Sequence, residues 1–251
     1  TIAVDGVHYR GKHVVLASGS YSKTIGQEIT GRVLTSTEAL ELGEAPGSVI
    51  VLGGGVIGVE FASAWRSYGA EVQIIEGLPH LVPNEDPEVS KNLERQFRKR
   101  GIKFATGTMF DHLEQTDHSV KVFTQDGKEF EADYLLIAIG RGPATANLGY
   151  EEVGVKMDRG FVLTDERLRT NIDGVYAVGD IVPGLQLAHR GFLQGIFVAE
   201  DIAGLNPKVI DETKIPRVTF CTPEIASVGL NQDKAEEQYG KENITTATFN
   251  L

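Results

Sequence analysis

Cysteine is nearly missing from this sequence. Cys221 is the sole thiol among 251 residues, so no disulfide, CxxC redox pair or cysteine zinc cluster forms within the chain. Basic charge is also short. Lys and Arg total 24 against 35 Asp and Glu, a net charge of −11, which argues against a nucleic-acid partner. No apolar run approaches the roughly 20 residues needed to span a bilayer, so no membrane partner is expected. No signal or transit segment is visible. With cysteine this sparse, the expected compartment is a reducing cytoplasm. There is no internal repeat, and a 41% hydrophobic content argues against disorder. Both ends are abrupt. Thr1 opens inside an apparent hairpin around Asp5-Gly6, and "ENITTATFNL" closes as a strand with no partner after it. The expectation is a piece of a longer polypeptide.

What is present is α/β patterning. "KHVVLASGS" reads as a buried strand and residues 21–47 as a polar linker. "SVIVLGGG" is a continuous apolar strand, as in a parallel sheet covered on both faces. Ile57, Phe61, Ala64, Trp65 and Tyr68 then recur at helical spacing up to Gly69, and "AEVQIIEG" is the next strand. A second helix is punctuated by Asp86 as cap, Pro87 in the first turn, a Val89, Leu93, Phe97 stripe and Gly101 as stop. "IKFAT", "SVKVFT", "KEFEA" and "YLLIAIG" follow, with an antiparallel excursion before the last buried strand. "GVYAVGD" reads as another buried strand, and Leu187 to Gly204 as a long buried helix. "RVTFCTPEIASVGL" is strand-like and "NQDKAEEQYG" a surface helix.

Gly53, Gly55 and Gly58 form G-x-G-x-x-G between a strand and a helix, the context in which that pattern binds a dinucleotide. Gly53 allows the tight turn, Gly55 lets backbone approach a pyrophosphate, and Gly58 lets helix and strand pack closely. The helix amino terminus offers N–H groups to the phosphates. Glu76 lies 18 residues after Gly58 at the end of the second strand. A carboxylate there accepts from both adenosine ribose hydroxyls and repels a 2′-phosphate, which favours NAD over NADP. Glu60 reads either as a dipole-complementing acid in the helix's first turn or as a carboxylate near the nicotinamide end.

"VLASGS", "GGGVIGVEFAS", "AIGRGP", "NIDGVYAVGD", "LAHRGF" and "TPEIASVGL" occur in this order. With them the whole chain resembles the flavin-dependent pyridine nucleotide-disulfide oxidoreductases, and within them the dihydrolipoamide dehydrogenases, the E3 components of 2-oxoacid dehydrogenase complexes. The resemblance implies Rossmann-like three-layer ββα domains of the FAD/NAD(P)-binding fold. It divides the chain into the end of a first FAD segment (1–24), an NAD-binding domain (25–142), a returning FAD segment (143–214) and the start of a dimerisation domain (215–251). It implies that Gly53, Gly54, Gly55, Val56, Ile57, Gly58, Glu60, Glu76, Phe110 and Gly140 hold NAD. Ala17, Ser18, Gly19, Arg141, Asp180, Gln186, Leu187, Ala188 and His189 would lie on FAD, with Asp180 at the end of a buried strand.

It further implies a homodimer that reoxidises dihydrolipoamide through an enzyme disulfide and FAD, passing hydride to NAD⁺. The redox cysteine pair and the His-Glu acid–base pair would lie outside these residues, so the piece alone is expected to be inactive. His189 belongs to a flavin-side helix start and is not that histidine. Gln194 stands where an acid is common, Cys221 at a usual Thr, and Asn231-Gln232 at a usual Thr-Glu. These departures put the subfamily in doubt, not NAD binding. Two alternatives stay open: another flavin disulfide reductase of the mercuric or glutathione reductase kind, and a non-catalytic NAD-binding module.

Overall fold

The computed structural model describes residues 1–249 and separates into two compact units. One comprises Ser22–Gly140 with Pro216 onward, the other Thr1–Tyr21 with Arg141–Ile215. The first is built on a five-stranded parallel sheet in the order Val33–Leu34, Tyr134–Ile137, Ser48–Leu52, Glu71–Ile75, Lys103–Ala105. Alternation along its strands supplies two cores. Val49, Val51 and Ile74 face a helical layer. Ile50, Leu52, Ile75, Leu135 and Ile137 face Val120, Val122 and Ala132 of an antiparallel sheet. That sheet is Phe110–Gln115, Val120–Thr124 and Glu129–Ala132. The result is three layers: helices, parallel sheet, antiparallel sheet. Both faces of the parallel strands are dry, which is why they read as unbroken apolar runs.

The supposed linker 21–47 holds the edge strand Val33–Leu34 and a short helix α1 (Ser36–Leu40). A capping box builds α1. Thr35 Oγ1 accepts from the Thr37 amide, and Glu38 Oε2 accepts from the Thr35 amide at 2.8 Å. Phe110–Gln115 is a further strand whose "FDHLEQ" gives no strand signal, because it buries no residue fully and shows no clean period of two.

Helix α2 (Val56–Ser67) ends as expected before Gly69, but its buried face is Gly58, Val59, Ala62, Ser63 and Trp65. Ile57 and Phe61 only flank this face, and Tyr68 is 76% exposed. Gly58 and Ala62 seat the helix closely on the sheet beside the buried Val59 and Trp65, while Ile57 and Phe61 pack at its edge. Helix α3 (Pro87–Lys99) buries Ser90, Leu93, Glu94 and Phe97. Asp86 holds its N-cap position without capping, since its carboxylate accepts the Gln232 amide at 2.8 Å.

In the other unit, Val14–Leu16 pairs in parallel with Val175–Ala177. Val14–Leu16 is half-exposed, not buried, because this sheet has two strands. Ile2–Val4 and Val7–Tyr9 form the expected hairpin, with Asp5 and Gly6 both at positive φ. Helix α4 (Ala188–Ile202) buries Arg190, Gln194, Phe197 and Val198, while Phe192 and Ile196 are 72% and 59% exposed. It is thus amphipathic, not buried all round. Asp201 is gripped by Arg167 and by Arg169 at 2.7 Å. Burial pushes its carboxyl up, but hydrogen bonds and charge from the two arginines outweigh that and leave it below the usual range.

The remaining segment joins the first unit through the hairpin Arg217–Thr219/Ile225–Ser227 and helix α5 (Gln232–Tyr239). Asn231 caps α5 by accepting from the Lys234 amide. The strand expected in "ENITTATFNL" is absent from 244–249, where nothing pairs with the chain. Asn250 and Leu251 lie outside the described residues. No helix of the described residues is long and apolar enough to cross a membrane.

Candidate nucleotide site

Gly53, Glu76 and Gly140 all follow the carboxyl ends of parallel strands, the edge at which open α/β sheets take ligands. The three glycines of the turn differ in what surrounds them. Gly53 sits at φ +113, and a Cβ there would lie 2.4 Å from the Ala138 carbonyl oxygen. A Cβ on Gly58 would lie 1.9 Å from the Gly53 oxygen and 3.2 Å from Val51 Cγ1. A Cβ on Gly55 would meet nothing within 4 Å. The outer two glycines are therefore demanded by the fold. Gly55 faces open space, as a backbone that receives a pyrophosphate should. Val56 opens α2 behind it, with Ile57 next, and no side chain caps that helix end.

Glu76 is fixed at both oxygens. Oε2 accepts the Gly54 amide at 2.6 Å and Oε1 the Leu78 amide at 2.7 Å. Two backbone donors therefore orient the carboxylate, and each oxygen keeps a lone pair for a further donor such as a ribose hydroxyl. Glu60 falls in the second turn of α2, not the first, so it is not the dipole-complementing acid of one reading. Its Oε1 accepts the Phe220 amide at 2.8 Å. Phe110 is half-buried, packed against the core between the two sheets. Gly140 sits at φ +109.

Cys221 is buried, and its Sγ donates to the Pro223 carbonyl at 3.1 Å. Burial, then the Glu60 carboxylate, pushes its thiol up to about 11. A thiol held protonated is no nucleophile at neutral pH.

In the unit that contains Asp180, Ser20 donates to its carboxylate at 2.5 Å, and Arg141 donates to Ser20 Oγ at 2.7 Å and to Ser20 O at 2.8 Å. Ser18 Oγ lies 3.3 Å from the Tyr150 hydroxyl, and Gln186 reaches the Asp180 carbonyl at 3.4 Å. The strand ends at Ala177, so Asp180 stands in a 3₁₀ turn (Gly179–Ile181) rather than at a strand end. That turn is held by Gln194, fully buried, whose Oε1 accepts the Gly179 amide at 2.7 Å. Leu187 precedes Ala188 and His189 at the start of α4, again without a side-chain cap. Ala17 and Ser18 are exposed, and Gly19 sits at φ +76. Ser20, at the end of the VLASGS segment, and Gln194 were not among the expected site residues, and only folding shows their contacts.

Residues 1–195 match the pyridine nucleotide-disulphide oxidoreductase family, and residues 215–251 match its dimerisation domain. The chain belongs to that family. Among its relatives are dihydrolipoyl dehydrogenases of Chlamydia pneumoniae (38% identical over 99% of this chain and 54% of the relative) and Bacillus subtilis (38%, 90% and 49%). Of solved structures, LpdA from Mycobacterium tuberculosis superposes with a TM-score of 0.86 at 30% identity, covering 94% of this chain and 53% of that one. The flavoprotein disulfide reductase RclA from Escherichia coli gives 0.84 at 31%, covering 91% and 54%. The chain spans about half the length of the relatives it matches.

Proposed function

We propose that the unit containing the glycine turn binds NAD(H). Gly53 to Gly58 receive the linked phosphates, Glu76 the adenosine ribose, and Glu60, Phe110 and Gly140 the two ends of the dinucleotide. The observation that carries this is the contrast between Gly58, which the fold allows no side chain, and Gly55, whose missing side chain faces open space. The residues present fit the group, and the glycine-rich turn at a helix start suits linked phosphates. Titration of the chain with NADH and NADPH tests the reading. NADH binds more tightly, and Glu76→Ala costs about 1–3 kcal/mol of NADH affinity. Equal affinity for the two nucleotides overturns it.

In the whole protein, Ala17, Ser18, Gly19, Arg141, Asp180, Gln186, Leu187, Ala188 and His189 would hold FAD. Asp180, steadied by Ser20, is a carboxylate suited to polyol hydroxyls. When bound, FAD and NAD supply the hydride chemistry, while the chain's own groups bind and orient. Taken with its relatives, this supports a dihydrolipoyl dehydrogenase, a cytoplasmic homodimer serving a 2-oxoacid dehydrogenase complex. The 251 residues carry one buried thiol, so by themselves they hold no disulfide and are expected not to turn over dihydrolipoamide. The likeness to RclA favours a second reading as another flavin disulfide reductase. Activity of the whole protein with dihydrolipoamide decides between them.

A further inference from the structure

Val82 is a β-branched, buried residue at φ +44, a left-handed conformation that such residues adopt only under constraint. Both of its backbone polar groups are used. Its amide donates to the Gly54 carbonyl at 2.8 Å, and its carbonyl accepts from the Glu85 amide at 3.0 Å and from Ser90 Oγ at 3.3 Å. Next to it, Leu81 is fully buried and packs so closely on the turn that a Cβ on Gly54 would lie 2.5 Å from its Cδ2. The Leu81 amide donates to Glu94 Oε1 at 3.2 Å, and His80 Nδ1 lies 3.2 Å from the same oxygen. Glu94 projects from α3, and its side chain is 10% exposed.

Residues 80–82 therefore form a strap, tied to α3 on one side and to the Gly54 carbonyl on the other. The peptide joining Gly54 to Gly55 is trans and planar, so its C=O and N–H point in opposite directions. Val82 takes the carbonyl, which turns the Gly55 N–H the other way. Glycine on both sides would otherwise let this peptide flip freely.

We propose that Glu94 is a positioning residue for nucleotide binding. Acting through Leu81 and the strained Val82, it fixes the orientation in which the Gly55 amide meets the pyrophosphate. The proposal deepens the NAD reading and rests on it.

The test compares ADP-ribose with adenosine, which lacks the phosphates, on the 251-residue chain by ligand-observed NMR titration. Glu94→Ala weakens ADP-ribose about fivefold, the worth of one ordinary hydrogen bond, and leaves adenosine unchanged. Glu94→Gln keeps an acceptor for Leu81 and stays within about twofold of wild type. If Glu94→Ala does not fold, Ser90→Ala, which frees only the Val82 carbonyl, carries the same selective loss at about twofold. Unchanged ADP-ribose affinity in a folded variant overturns the proposal, as does an equal loss for both ligands. Failure of the wild-type chain to bind ADP-ribose instead overturns the nucleotide reading beneath it.

Discussion

Glu60 and Phe220 are 160 positions apart in the chain, yet the Glu60 carboxylate accepts the Phe220 amide at 2.8 Å. Beside this bond, Ser63 Oγ accepts the Thr222 amide at 2.9 Å and Arg100 donates to the Thr222 carbonyl at 3.0 Å. Side chains of α2 and the end of α3 thus satisfy the backbone of 220–222. Glu60→Ala is expected to destabilise this unit by about 0.5–1 kcal/mol, read as a lower urea midpoint, because it removes one side-chain acceptor from a solvent-accessible backbone amide. Glu60→Gln keeps an acceptor and should stay near wild type. Equal midpoints for Ala and wild type would show that the contact contributes nothing.

The turn glycines give a paired expectation. Gly58→Ala puts a methyl group into the Gly53 carbonyl, a backbone atom that cannot move aside. It should cost more than about 3 kcal/mol and abolish cooperative unfolding of the unit. Gly55→Ala meets nothing and needs no unusual φ, so the protein should fold normally. Its added methyl occupies the space assigned to phosphate, so NADH affinity should fall at least about tenfold while the urea midpoint holds. A Gly55→Ala variant with wild-type affinity would move the nucleotide elsewhere.

Much of this was legible in the sequence because the parallel strands are covered on both faces and appear as plain apolar runs. Glu76 and the glycine spacing were readable for the same reason: both are pinned to strand ends. The α1 segment was missed, although Thr35 and Glu38 have the spacing of a capping box, because a two-residue strand and a five-residue helix depend on their neighbours more than on propensity. The buried face of α2 was only partly legible, through Trp65, because Gly58 and Ser63 on that face carry no hydrophobic signal. Nor could the strap be read. It is made of backbone groups, and Val82 is a residue from which no sequence rule expects a left-handed conformation.

Cys221 gives an expectation in pH. Its ordinary value of 9.0 is raised to about 11 by burial and the Glu60 carboxylate, so the unfolded chain releases this proton first. Stability is therefore fully present below about pH 9 and declines as pH rises toward about 11. Urea midpoints of wild type and Cys221→Ala, compared across that range, should converge as the wild type loses this contribution. At about pH 8 a thiol reagent should react slowly with the native protein and fast in urea. Fast native labelling would contradict the buried, protonated thiol.

The two compact units are interleaved along the chain, and this bears on synthesis. Val14–Leu16 leaves the ribosome long before Val175–Ala177, its parallel partner. At about 5–20 residues per second the interval is on the order of ten seconds or more. During that wait the whole five-stranded sheet between them emerges and can close. Val14–Leu16 must wait, chaperone-accessible, until Val175–Ala177 is translated before this pairing can form.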